Sequence, residues 1–193
     1  MANTLKKLKM EFEKLKIDGL VLCKPKINED ERGFFFESFR KDLLEDFISE
    51  NLDFCQQNTS KSNFGVLRGL HFQTAPNAQT KLISVSNGEI LDVVLDLRKD
   101  SLSYGKHYSI ILNDINNFQL LVPKGFAHGF ISLSEFVNVN YQVDNYYNSE
   151  NEFGINPFDN DLNINWILEK NQIITNDKDK SHKNLSESPA YKF

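Results

Sequence analysis

Leu82-Ile83-Ser84-Val85-Ser86-Asn87-Gly88-Glu89-Ile90-Leu91-Asp92-Val93-Val94-Leu95-Asp96-Leu97 reads as two runs of period two on either side of a turn. Asn-Gly between alternating apolar residues is a strong hairpin signal, because a type I′ turn needs positive φ at both central positions. The pattern therefore predicts that 82–86 and 90–97 pair as a hairpin. Leu91, Val93, Leu95 and Leu97 alternate with Asp92 and Asp96, so one face is buried and the other is partly polar. Moving toward the C-terminus, Tyr108–Leu112, Phe118–Val122, Gly129–Leu133 and Val137–Val143 repeat the pattern, separated by Asn, Asp, Gly and Pro clusters. Short strands with turn signals roughly every 8–12 residues argue a β-sandwich or a closed double-sheet barrel.

Toward the N-terminus, Leu20–Ile27 reads as a strand broken by Pro25, followed by a polar turn, Asn28-Glu29-Asp30-Glu31-Arg32-Gly33. Ser38–Asn51 carries Leu43, Leu44, Phe47 and Ile48 at helical spacing, with Ser38 able to cap, and predicts a helix. Residues 4–15 admit two readings, an amphipathic helix or a start near Met10 followed by a strand. After Trp166 the chain becomes polar, and 181–193 reads as a frayed tail. The expectation is one mainly β domain over 1–193, its core about 17–180, with residues 1–16 as an N-terminal extension and a short helical annex.

The chain has 193 residues, 22 basic against 27 acidic, for a net charge of −5. An acidic chain is a poor partner for nucleic acid, which needs a basic face. No apolar run approaches the roughly 20 residues of a membrane helix, and the N-terminus lacks a signal-peptide core. Cys23 and Cys55 imply no disulfide framework, which points to the cytoplasm.

The four histidines, His71, His107, His128 and His182, are isolated in sequence, so no metal-ligand spacing is present and no metal is expected. Dinucleotide, P-loop and serine-hydrolase signatures are also missing. Two segments stand out: Gly65–Gln73, with Arg68 and His71 three apart, and Pro123–Phe130, with His128 among glycines and aromatics. Alone, a histidine on an apolar strand reads as a hydrogen-bonded core residue; two of them in glycine-containing strands point to a polar site inside a barrel. In a regular strand Arg68 and His71 would face opposite sides, so aiming both inward requires a bulge or bend at Gly69. His107 and His182 fit no motif and read as surface residues.

Asp30–Glu37, Gln57–Ser62, Gly65–Gln73, Asp92–Arg98, Pro123–Phe130 and the tyrosines 141, 146 and 147 together resemble the dTDP-4-dehydrorhamnose 3,5-epimerase family, in order over about residues 17–180. The resemblance implies a cofactor-free, metal-free cupin-type jelly roll that forms a homodimer. It would invert C3 and C5 of a nucleotide-linked 4-keto-6-deoxy sugar, on the route to dTDP-L-rhamnose. By match, His71 is the base, Asp179 the carboxylate that orients it, Tyr141 the general acid, and Lys81 the cation beside the developing oxyanion. Histidine suits a base that works near neutrality. Arg32, Glu37, Gln56, Gln57, Asn58, Arg68, His128, Tyr147, Glu152 and Lys178 match substrate-contact positions, with Arg32 and Glu37 read as reaching across a dimer interface.

The chain departs from the family pattern at Gln56-Gln57-Asn58, at Thr80, in Gly154–Asn160 and at Ile167. The later departures lie near the nucleotide-contact region, which leaves the base and the sugar open. Alternatives are a single-centre epimerase, an epimerase of another nucleotide-linked 4-keto sugar, and a non-catalytic sugar-nucleotide-binding module.

Overall fold

The computed structural model describes residues 10–193. In chain order its elements are β1 (Glu11–Lys14), β2 (Val21–Lys24), β3 (Asn28–Asp30), β4 (Gly33–Phe35), α1 (Lys41–Ile48), β5 (Gln56–Asn63), β6 (Leu67–Gln73), β7 (Lys81–Asn87) and β8 (Glu89–Asp96). There follow β9 (His107–Asn113), β10 (Gln119–Val122), β11 (Phe126–Ser132), β12 (Phe136–Val143), β13 (Glu152–Gly154) and the one-turn α2 (Asp177–Lys180). Two antiparallel sheets dominate, ordered β1-β2-β10-β7-β12-β5 and β13-β6-β11-β8-β9, with β3–β4 as a separate hairpin. This is the double-sheet architecture that the strand pattern predicts, and it is of the cupin type that the family resemblance implies.

Alternation sorts each strand between layers. Ile83 and Val85 of β7, Ile90 and Val94 of β8, Phe126 and Phe130 of β11, and Val137 and Val139 of β12 fill the space between the sheets. The outer face of the five-stranded sheet is also covered: Leu91, Val93, Leu95 and Ile131 pack against Ile155, Leu162 and Trp166. On the outside of the six-stranded sheet, Leu44 of α1 and Leu52 lie on Val21, Cys23, Leu82 and Leu121.

Four local readings are corrected. β7 and β8 do not pair; they belong to different sheets, and Asn87-Gly88 carries the chain from one to the other. Gly88 has φ +79° while Asn87 stays at negative φ, so the turn is not type I′. Glycine is still required, because a Cβ there would lie 2.7 Å from the Phe136 carbonyl oxygen. Second, the helix starts at Lys41 with Arg40 as an N-cap that makes no side-chain bond, and Ser38 instead offers its carbonyl to the Gln119 amide. It ends where Ser49 turns left-handed at φ +60°.

Third, Glu11–Lys14 is a strand on the β2 edge, with Met10 buried; the rest of the N-terminal helix reading lies outside the described residues. Fourth, residues 181–193 are not a frayed tail. Lys183 bridges to Ile155, the Ala75 N–H donates to the Lys192 carbonyl, and Tyr191 packs edge-on against Phe72 at 4.6 Å between ring centroids.

Candidate active site

β6 carries one residue more than its partner. Leu67, Leu70 and Phe72 all join the outer core, whereas Arg68, His71 and Gln73 line a cleft of about 340 Å³ between the sheets. The register against β11 shifts between His128 and Phe130, and Gly69 is the extra residue, at φ +122°. A Cβ on Gly69 would lie 2.5 Å from Gly129 Cα and 2.8 Å from the His128 carbonyl oxygen, so only glycine fits. The bulge needed to turn both Arg68 and His71 inward is present.

Gly69 also helps to set His71. Its N–H donates to Asp179 Oδ2 at 3.1 Å, while His71 Nε2 meets Asp179 Oδ1 at 2.8 Å. Asp179 comes from α2, whose N-cap Asn176 accepts from the Asp179 N–H at 2.7 Å. The carboxyl is 1% exposed. Burial alone would raise its pKa, but the hydrogen bonds from His71 and the Gly69 N–H outweigh that, and it lies below the ordinary carboxylate range. An ionised carboxylate only accepts, so the shared proton sits on His71 Nε2 and the lone pair on Nδ1.

A second pair lies alongside. His128, paired with His71 across β11 and β6, meets Asp92 Oδ2 through Nε2 at 2.7 Å, both residues buried. Asp92 shares the inner face of β8 with Ile90 and Val94. Asp96 does not join the site: it binds Arg98, Ser101 and Ser103 in the following loop.

The six-stranded sheet supplies the opposite wall. Gln56, Asn58 and Ser60 alternate inward on β5, Lys81 shares the inner face of β7 with Ile83 and Val85, and Tyr141 that of β12 with Val137 and Val139. Lys81 is buried, and its ammonium donates to the His71 carbonyl at 3.3 Å. Desolvation lowers its pKa to about 8, partly offset by the charges of Glu152 and Asp92. The Tyr141 phenol is pushed up, by burial first and by the charge of Glu152 second, so it holds its proton at neutral pH.

At the rim, Tyr147 donates from its hydroxyl to Glu152 Oε2 at 3.0 Å, and Lys178 forms an ion pair with the same oxygen. Arg68 reaches Ser62 Oγ at 3.0 Å. Three expected contact residues lie outside the cleft of their own chain. Gln57 is on the outer face of β5 and takes a bond from Gln142; Arg32 is held by Asp30 on the exposed β3–β4 turn; Glu37 pairs with Arg40 at 3.3 Å.

Sequence reasoning missed His182. Far from being a surface group, its ring lies edge-on to His71 at 5.6 Å between centroids and against the Cα of Gly154. Its place three residues after Asp179 was the available signal, since one helical turn brings such residues together. His107 is half-buried, and desolvation lowers its pKa.

The chain is similar to known proteins over most of its length. Residues 14–187 match the family model described as dTDP-4-dehydrorhamnose 3,5-epimerase. The dTDP-4-dehydrorhamnose 3,5-epimerase of Methanothermobacter thermautotrophicus is 42% identical over 181 residues, covering 93% of this chain and 97% of that protein. The crystal structure of the Elizabethkingia anophelis enzyme of that name superposes with a TM-score of 0.90 at 39% identity, covering 94% of this chain and 99% of its own. A Legionella pneumophila dTDP-6-deoxy-D-glucose-3,5-epimerase in complex with dTDP-4-keto-L-rhamnose gives 0.90 at 41% identity, covering 94% and 96%.

Proposed function

The chain belongs to the dTDP-4-dehydrorhamnose 3,5-epimerase family, and from that premise we propose that it epimerises dTDP-4-dehydro-6-deoxy-D-glucose at C3 and C5 to dTDP-4-dehydro-L-rhamnose, in dTDP-L-rhamnose biosynthesis. The observation that carries this is the placing of the His71–Asp179 pair on one side of a cleft and the half-buried Tyr141 phenol on the other, with a buried lysine beside them.

The C4 carbonyl acidifies the protons on C3 and C5. His71 Nδ1 takes one of them, and Asp179, already bonded to Nε2, stabilises the imidazolium. The electron pair left on carbon delocalises onto the C4 oxygen, where the Lys81 ammonium offsets the charge. Tyr141 then delivers a proton to the opposite face of the carbon. Solvent returns a proton to the phenolate and removes one from the imidazolium, so each inversion is balanced and uses no cofactor. His128, held by Asp92, lines the sugar end; Gln56, Asn58, Arg68, Tyr147, Glu152 and Lys178 line the way to it, with the Arg68 guanidinium suited to the diphosphate and Tyr147 to stacking on the base.

The working unit in this reading is a homodimer. Arg32, Glu37 and Gln57 miss their own cleft, and the β3–β4 hairpin that carries Arg32 exposes Phe34 and Phe35 at 62% and 66%. Such a hairpin fits a role in completing the neighbouring subunit's site. No helix among the described residues is long and apolar enough to cross a membrane, and two free cysteines fit the reducing cytoplasm.

The test is deuterium uptake from D2O into dTDP-4-keto-6-deoxyglucose, followed by proton NMR. Two enzyme-dependent deuteriums, at C3 and C5, are expected. One alone would assign a single-centre epimerase, and none by folded protein that binds dTDP would assign a binding module.

A further inference from the structure

His182 has no part in the reaction described above. Its Nε2 is buried without a hydrogen-bond partner and lies 3.9 Å from Asp179 Oδ1, the oxygen that also receives His71 Nε2 at 2.8 Å. Ligand atoms of His71, Asp179 and His182 all fall within 4.8 Å of one another. The C-terminal strap fixes this position: Lys183 bridges Ile155, its carbonyl accepts from the Asn156 N–H at 2.9 Å, and the ring fills the space left by the missing side chain of Gly154. A Cβ on Gly154 would lie 2.3 Å from His182 Nε2.

We propose that His71, Asp179 and His182 form an inhibitory site for a divalent transition metal of the zinc type, bound between the base and its carboxylate. Two imidazoles and one carboxylate with an open fourth position form a donor set that zinc takes. Tetrahedral bonds of about 2.0–2.2 Å place neighbouring donors roughly 3.3 Å apart. The observed 2.8 and 3.9 Å to Asp179 Oδ1 bracket that spacing, and the two imidazoles, whose ligand atoms lie within 4.8 Å of each other, would draw together to reach it. The ion enters past His71, the most exposed of the three, whose side chain is 28% exposed at the cleft. Lys178, whose charge bears on His182, is already paired with Glu152.

The chemistry follows from the tautomer. In the active form His71 carries its proton on Nε2 and its lone pair on Nδ1. A metal on Nε2 needs the lone pair there, so the proton leaves Nε2 and one is taken up on Nδ1, with no net change on the neutral ring. The atom that would abstract the substrate proton is then itself protonated, and Asp179 is engaged by the ion. Binding therefore switches off the base without blocking the nucleotide end of the cleft. The inhibitory half of this proposal rests on the epimerase reading; the binding half does not.

The experiment uses the full chain, stripped with a chelator, and adds Co²⁺ and Zn²⁺ in turn. Tetrahedral Co²⁺ absorbs in the visible without any substrate, and Zn²⁺ should displace it one for one and suppress C5 deuterium exchange over the same concentration range. His182→Phe keeps an aromatic ring against His71 but cannot ligate, and should weaken both effects by at least the roughly 10–100-fold that loss of even an outer partner of a metal ligand costs. Gly154→Ala, which displaces the ring, should do the same. Dependence of the Co²⁺ spectrum on His182 would stand even if no epimerase activity were found. Absence of tetrahedral absorption up to millimolar Co²⁺ would overturn the site, as would an unaltered spectrum in both variants.

Discussion

Replacing Asp179 with asparagine should harm catalysis more than replacing it with alanine, although asparagine is the closer fit. Gly69 N–H donates to Asp179 Oδ2 at 3.1 Å, so an asparagine keeps its carbonyl oxygen there and turns its NH2 toward His71. Flipping the amide would set two donors against each other, at a cost of about 1–3 kcal/mol. The NH2 then donates to Nε2, which forces the ring proton onto Nδ1 and removes the lone pair that faces the substrate. The variant also loses the charge that holds the imidazolium. At 2.8 Å and an effective dielectric near 20, that attraction is about 6 kcal/mol, of which roughly two-thirds is specific to the charged ring. A loss of about 4 kcal/mol is about 10³ in rate, and the tautomer adds roughly another tenfold.

Asp179→Ala loses the charge but leaves room for water and imposes no tautomer, so it should lie nearer 10³. The assay is the rate of hydrogen–deuterium exchange at C5, with dTDP affinity as a control that should hardly move. A Asp179→Asn rate within tenfold of the parent, or an alanine variant slower than the asparagine one, would refute the reasoning. Folding gives a separate readout. The carboxyl has a depressed pKa when folded, so its stabilisation is present above the ordinary value of 3.8 and lost as pH falls through the folded one. Asp179→Asn should flatten that acid limb.

Lys81, with its pKa lowered to about 8 from 10.5, costs stability on the order of 3 kcal/mol below pH 8, a cost that fades as pH rises toward 10.5. Lys81→Met should therefore raise the melting temperature at pH 7 while lowering the exchange rate by about 10²–10³; the parent enzyme's rate should fall as pH climbs through about 8. Tyr141→Phe should slow inversion by about 10²–10⁴ yet retain C5 exchange, giving deuterium returned with unchanged configuration in the NMR spectrum. Deleting 189–193 removes the half-buried Tyr191 and Phe193 from Phe72 and should cost about 2–3 kcal/mol in urea denaturation.

The layer architecture was legible because alternation is local: each strand states which side it buries. Which strands pair is not local, and there the sequence misled. Asn87-Gly88 signals a reversal correctly, but a reversal can close a hairpin or hand the chain to the facing sheet. The choice lies with the partners: β10 and β12 take both edges of β7, while β11 and β9 take both edges of β8. The tail was misread for a related reason. Its two aromatics, Tyr191 and Phe193, flank a lysine and follow a polar stretch, and their burial depends on Phe72 and Phe153, over a hundred and about forty positions away.

The candidate site was more legible than the pairing because a broken rule marks it. Arg68 and His71, at odd separation on a strand, can share a face only if one residue is extra, and the glycine between them is the residue able to be extra. That bulge does three things at once: it turns Arg68 and His71 inward, brings β6 against Gly129 with no room for a Cβ, and frees a backbone N–H to fix Asp179. A regular strand with the same residues would keep the histidine and lose its carboxylate. Arg32, Glu37 and Gln57 show the converse. Their residue types suit a diphosphate or a sugar, yet nothing within a single chain brings them to the cleft, and only in the homodimer proposed above would they meet one.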